Sequence, residues 1–151
     1  MHPSIPIPWL AILVAVVASF AIGGVWYGPL FGATWRAAMG FAPDAPPDGR
    51  EIARGSALNL LGTFVLAFVL AHEVAIWRPS TWGHASPDAH WALHGFFAGA
   101  VMWLGYVVPT LLNGPAFERK PWRVFFISAG YQFVSLQAAA LILAGWTARS
   151  A

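Results

Sequence analysis

Four long apolar stretches, separated by short polar segments, dominate the pattern along this chain. From Trp9 to Tyr27 there is no Asp, Glu, Lys, Arg or His. A second stretch lies between Arg54 and Arg78, with His72 and Glu73 near its end. A third runs from Trp91 to Leu112 and a fourth from Trp122 to Trp146. About 20 apolar residues in a helix cross the hydrocarbon of a bilayer, and backbone groups in lipid must be satisfied within each segment. The pattern therefore predicts an all-α integral membrane protein, a single domain with four transmembrane helices at about 9–28, 55–77, 91–112 and 122–146. Trp9, Trp26, Trp77, Trp91, Trp122 and Trp146 fall at the expected span ends, where indole rings favour the headgroup region; Trp103 falls mid-span.

The connecting segments carry their own signals. Phe31, Trp35 and Met39 recur at helical spacing between Leu30 and Gly40, with Arg36 on another side, which predicts a short interfacial helix after the first span. Residues 43–49 hold three prolines and two aspartates, an irregular loop. Ser86-Pro87-Asp88 reads as a helix start, and Asn113-Gly114-Pro115 as the turn leaving span three. A faint two-plus-two likeness is also present: Trp26 is followed by Pro29, and Trp103 by Pro109, each ahead of a basic segment.

Composition removes several function classes. Charged residues make up 9% of the chain and hydrophobic residues 58%, against about 25% charged in a soluble domain. Cysteine is absent, so disulfides, thiol nucleophiles and thiolate metal sites are excluded. No cluster of cations suits a nucleic acid. The lead from Met1 to Pro8 has no Lys or Arg and the run after it is longer than a signal-peptide core, so the first helix reads as retained.

Of eight Lys and Arg, Arg36, Arg50, Arg54, Arg119, Lys120 and Arg123 fall in two segments, leaving Arg78 and Arg149 on the other side. This bias predicts a cytoplasmic (inner) membrane protein with both termini outside and loops 29–54 and 113–122 in the cytoplasm. It also argues against a dual-topology transporter.

Two stretches carry a family resemblance. Gly24-Val25-Trp26-Tyr27-Gly28-Pro29-Leu30-Phe31-Gly32 is followed by Trp35 and Met39-Gly40. Trp103-Leu104-Gly105 is followed by Asn113, by Phe117-Glu118-Arg119 and by Ile127-Ser128-Ala129-Gly130-Tyr131. In order and spacing the chain resembles the domain of unknown function 1761 family, with Ser128 where that pattern often has Asn. The resemblance implies a small multi-helix bacterial membrane protein and singles out Asn113, Glu118 and Arg119 as a loop motif. It implies no activity.

Three constellations are candidates for chemistry. His90 and His94 share a helix face, and His72 lies at similar depth beside Glu73. With His84 and Asp88 they form a possible outer-face zinc or copper site, set against ordinary interfacial histidines. Glu73, an acid inside a span, is a candidate proton relay or an interfacial carboxylate. Asn59, Tyr131, Gln132 and Glu73 mark a polar path, while Ser128, Gln132, Ser135 and the small residues Gly55, Gly62 and Ala67 equally suit helix packing. Gly24 with Gly28, and Gly95 with Gly99, are close-packing motifs. The resemblance implies that Glu118 fixes Asn113 or Arg54 across its loop, set against plain topology control and attraction of the loop cations to anionic lipid.

There is no phosphate loop, no Ser-His-Asp set and no paired carboxylates, so enzymatic activity is not expected. The leading function is a non-enzymatic bundle in the lipid bilayer that self-associates as a homo-oligomer or serves another membrane protein as accessory subunit. The alternatives are a small transporter or channel and an outer-face metal-binding protein.

Overall fold

The computed structural model describes residues 7–42, 48–83 and 90–149. Helix α1 (Trp9–Val25) passes through a π-like turn, Trp26–Leu30, that is kinked at Gly28 (φ −95°, ψ −105°), into the short α2 (Gly32–Ala38). A long α3 (Gly49–Ile76) follows, and a 3-10 turn at Pro79–Trp82. Then α4 (Trp91–Met102) passes through a second π turn, Trp103–Val107, into α5 (Val108–Phe117), and α6 (Trp122–Arg149) completes the bundle. Four stretches are long and apolar enough to span a membrane: Trp9–Leu30, Gly49–Ile76, Trp91–Phe117 and Trp122–Arg149. Among the described residues there is no strand.

Helix α6 is the hub. Its apolar window is 44% buried, against 22–28% for the other three, and α1, α2, α3, α4 and α5 all pack on it. Small residues set the close approaches. A Cβ on Gly95 would meet the Ala144 side chain at 2.9 Å and the Ala140 carbonyl oxygen at 3.0 Å, and one on Gly99 would meet the Gln137 amide at 3.0 Å. The Gly95–Gly99 motif thus performs the packing expected of it. Gly24 and Gly28 do not: a Cβ on either would meet nothing within 4 Å. The neighbouring Gly23 takes that role, with the Tyr131 hydroxyl and ring edge at 3.2–3.5 Å.

Both π turns occur where the sequence places a tryptophan ahead of a proline. A proline ring clashes with the carbonyl four residues earlier and offers no N–H. For Pro109 that carbonyl belongs to Gly105, inside the widened turn, and for Pro29 to Val25, at its edge. At Trp103–Val107 a single extra residue per turn accommodates the conflict; ahead of Pro29 the backbone kinks at Gly28, since the residue before a proline is disfavoured in the helical region. The mid-span position of Trp103 has its reason here too: its indole N–H donates to the Ala129 carbonyl at 2.8 Å.

The turn expected at Asn113-Gly114-Pro115 lies later. Helix α5 continues through Pro115 to Phe117; the proline costs the Leu111 carbonyl its usual helical donor, and the turn is made only beyond it. The chain closes when the Glu118 N–H meets the Asn113 and Gly114 carbonyls at 3.3 and 3.1 Å, and the Lys120 N–H meets that of Gly114 at 3.1 Å, with Arg119 at φ 56°. The segment expected as an interfacial helix over 30–40 is α2, two residues shorter at its start. Its end is a Schellman closure at Gly40 (φ 79°), with Phe41 N–H on the Arg36 carbonyl at 3.0 Å and Gly40 N–H on that of Ala37 at 3.1 Å. Ser86-Pro87-Asp88 lies outside the described residues.

Candidate functional site

Helices α1 and α3 present faces of the same spacing. Phe20, Gly23, Gly24 and Tyr27 recur at i, i+3, i+4 and i+7, and so do Ile52, Gly55, Ser56 and Asn59; all eight line one cavity of about 510 Å³. Further along the same helices, Ile12, Val16, Ala67 and Leu70 are at most 5% exposed, and Trp9 stacks on Phe68 at 5.8 Å. The two helices therefore close at one end and splay at the other. A Cβ on Gly24 or Gly55 would meet nothing within 4 Å, so these glycines border open space instead of seating a neighbouring helix. The cavity covers about 10 Å of helical rise and stops against the apolar half of the core.

An aromatic wall closes the third side. Tyr131 of α6 packs edge-on against Tyr27 at 5.2 Å, and Tyr27 against Trp35 of α2 at 5.7 Å. Trp35 stacks on Phe41 at 6.0 Å, and the Arg36 guanidinium lies over the Phe41 ring at 5.8 Å. Trp35, Arg36 and Tyr131 complete the lining. The wall is fixed to α6: Trp26 donates its indole N–H to the Ile127 carbonyl at 3.0 Å, and its ring would meet a Cβ on Gly130 at 3.1 Å. Longer bonds join the Tyr27 hydroxyl to Ser128 and the Tyr131 hydroxyl to the Ser19 carbonyl, both at 3.4 Å. Gly32 is required where the chain enters α2, because a Cβ there would collide with the Tyr27 carbonyl oxygen.

The cavity lies in the half of the bundle that carries Arg36, Arg50, Arg54, Arg119, Lys120 and Arg123. Antiparallel packing of α1 on α6 puts both basic segments there, and Arg78 reaches the Thr147 carbonyl at 3.4 Å at the opposite end.

Of the polar-path candidates, the structure brings Asn59 and Tyr131 together in this cavity; Glu73 and Gln132 lie outside its lining. Ser128 and Ser135 both face the interior, Ser135 being 5% exposed. The interior amide that the stripe through Gln132 misses is Gln137, 9% exposed, whose oxygen and nitrogen have no partner among the described residues. Its seven-residue spacing from Gly130 and Ala144 on the small-residue face is the signal that would have found it.

The histidines are placed as follows. His72 Nδ1 lies 2.9 Å from the Phe68 carbonyl oxygen, which can only accept, so that nitrogen carries the proton and Nε2 is left as the ligating atom. His90 is exposed and His94 half-buried, its Nδ1 without a partner among the described residues. No group of three His, Asp or Glu able to hold a metal forms among the described residues. His84 and Asp88 fall outside them.

The loop motif is resolved differently from expectation. The Glu118 carboxylate pairs with Lys120 at 2.6 Å on an exposed surface, and only its backbone N–H reaches Asn113. A neighbour in sequence is the easier partner here, since the positive φ of Arg119 folds Lys120 back over Gly114. Glu118 and Lys120 also border a smaller cavity of about 140 Å³ between α5 and α6.

No curated protein and no solved structure matches this chain. A family model described as protein of unknown function (DUF1761) matches residues 10–144, which include both tryptophan-glycine turns, the aromatic wall and the glycine-lined slot. This membrane chain belongs to the DUF1761 family.

Proposed function

We propose that this protein is a non-enzymatic binding protein of the bacterial inner membrane that holds an amphipathic small molecule in the slot between α1 and α3. The supporting observation is the slot itself. Its volume of about 510 Å³ lies within the roughly 300–1,000 Å³ of small-molecule pockets. Its walls combine apolar and aromatic faces with a few polar groups, Ser56, Asn59 and Arg36. Because the far half of the bundle is packed shut, the site faces one leaflet, which favours binding over a through-path. The Lys and Arg bias puts that leaflet on the cytoplasmic side, with both termini outside.

The test is native mass spectrometry of protein extracted gently from its own membrane. The wild type is expected to retain a bound small mass. Gly24→Leu, which extends into open space, is expected to lose it while melting no lower than wild type. Equal retention by both proteins contradicts the reading.

A second reading, association with another copy, draws on the exposed Asn59. It lies about 7–8 Å along the helix from Arg54, with a long 3.5 Å bond from Thr63 among the described residues. Interhelical amide bonds stabilise membrane bundles by about 0.6 kcal/mol on average. A dimer mass that Asn59→Leu abolishes supports this reading; a monomer in mild detergent opposes it.

A further inference from the structure

We infer that the slot takes a prenylated quinone, an uncharged flat ring with carbonyl acceptors on its edge and an apolar tail, the ring lying between Gly24 and Gly55 with a carbonyl at Asn59. The inference rests on the reading of the slot as a binding site and adds the shape and hydrogen-bonding character of the occupant.

Shape comes from the two glycines. The stack of Trp9 on Phe68 sets the register of the antiparallel α1 and α3. Counted along both helices from that pair, Gly24 falls level with Ala53, within a turn of Gly55. Both glycines line the slot, and a Cβ on either would meet nothing within 4 Å. Opposite walls are thus bare backbone at one level, smooth surfaces between which a flat ring can lie. The wall that joins them is aromatic, Tyr131, Tyr27 and Trp35 meeting edge-on at 5.2 and 5.7 Å. A flat unsaturated guest extends such ring contacts; a saturated chain does not.

The polar groups of the lining are donors. The Tyr27 hydroxyl donates to Ser128 and the Tyr131 hydroxyl to the Ser19 carbonyl, so the tyrosines offer the slot their rings and no proton. The Asn59 amide oxygen accepts from the Thr63 hydroxyl at 3.5 Å, which leaves the amide nitrogen, a donor only. Ser56, one turn earlier on the same face of α3, adds a hydroxyl. Trp35 and Arg36 carry N–H groups and no acceptor. A lining of this kind suits a guest rich in acceptors, and carbonyls on the edge of a ring supply them without the cost of bringing a charge through hydrocarbon.

Position orients the guest. Asn59 is the α3 lining residue nearest the packed half of the bundle, and Ile52, 53% exposed, the one farthest from it. With a carbonyl at Asn59 the ring spans the level of the glycines, and the tail leaves past Ile52 between the splayed helices into the leaflet.

The probes are a short-chain prenylated naphthoquinone, the naphthalene bearing the same chain but no carbonyls, and farnesol, a prenyl chain with no ring. Each is titrated into the purified full-length protein and read by native mass spectrometry. The quinone is expected to bind one per chain, with the other two at least tenfold weaker. Asn59→Leu, close in size, is expected to bring the quinone down to the level of the naphthalene and to leave the naphthalene unchanged. Gly24→Leu, and independently Gly55→Leu from the opposite wall, are expected to abolish binding of both rings. Equal binding of quinone and naphthalene, both lost in the leucine variants, overturns the carbonyl assignment and leaves the slot as a site. Farnesol bound as tightly as the quinone overturns the ring, as does a wild type that keeps its resident mass and takes none of the three probes. Quinone binding that survives both leucine variants overturns the slot itself.

Discussion

Trp26, the residue after α1, donates its indole N–H to the carbonyl oxygen of Ile127 in α6, at 3.0 Å. Two residues along the same helix, the Ala129 carbonyl accepts from Trp103, the residue after α4, at 2.8 Å. Each tryptophan begins a π turn, so each interruption of a spanning helix is fixed to the central helix at its first residue. The first fixes Tyr27 and the aromatic wall of the slot. In apolar surroundings an indole N–H without a partner is costly, and these two carbonyls supply one.

Replacing Trp26 or Trp103 with Phe removes one donor and part of a ring. Each is expected to destabilise the bundle by about 1–2 kcal/mol, measured by unfolding in mixed detergent micelles. Trp26→Phe should additionally weaken occupancy of the slot, and Trp103→Phe should not.

Gly23 and Gly24 are adjacent yet predict opposite outcomes. Gly23→Ala drives a methyl toward the Tyr131 hydroxyl at 3.2 Å and its ring at 3.4 Å and should cost about 1–3 kcal/mol. Gly24→Ala meets open space and gains helix propensity, so stability should hold or rise by up to about 1 kcal/mol. The same unfolding assay separates them.

Gly32→Ala should be among the most damaging small changes, because the added Cβ would collide with backbone, the Tyr27 carbonyl, and backbone moves less readily than a side chain. A loss of about 1–3 kcal/mol is expected, together with a shift of Trp35 detectable in its fluorescence. Unchanged stability and emission would mean that α2 does not pack on Tyr27 as described.

Gln137→Met should stabilise. The amide lies in the interior against Gly99 with neither polar atom paired among the described residues, a deficit of about 1–3 kcal/mol that an unbranched apolar side chain removes. A lowered melting temperature would instead show that the amide holds a polar partner such as a buried water.

The four spans and the short helix after the first were legible because apolar length and the spacing of Phe31, Trp35 and Met39 are local properties. The end of span three was not. Asn113-Gly114-Pro115 carries strong turn chemistry, yet the helix runs on through Pro115, and the closure at Arg119 has no glycine to advertise it. The slot was half legible. Asn59 and Tyr131 stand out as polar groups in apolar runs, whereas Gly24 and Gly55 look the same in sequence as Gly95 and Gly99. Whether such glycines seat a helix or border a space depends on the splay of α1 from α3, which arises from the packing of Ala67, Leu70 and Val74 at the far end. Gln137 was missed for a related reason: an amide's burial depends on which face α6 turns toward α4.

The central claim is that a water-reachable slot lies between α1 and α3 at the basic end of the bundle. With no native cysteine in the chain, Ser56→Cys gives a single thiol on its wall, and the rate of labelling by a membrane-impermeant maleimide in oriented vesicles tests that claim directly. The account predicts labelling from the cytoplasmic face only, slowed at least tenfold when Gly24→Leu fills the space opposite. Labelling from the outer face, or at a rate indifferent to Gly24→Leu, would contradict it.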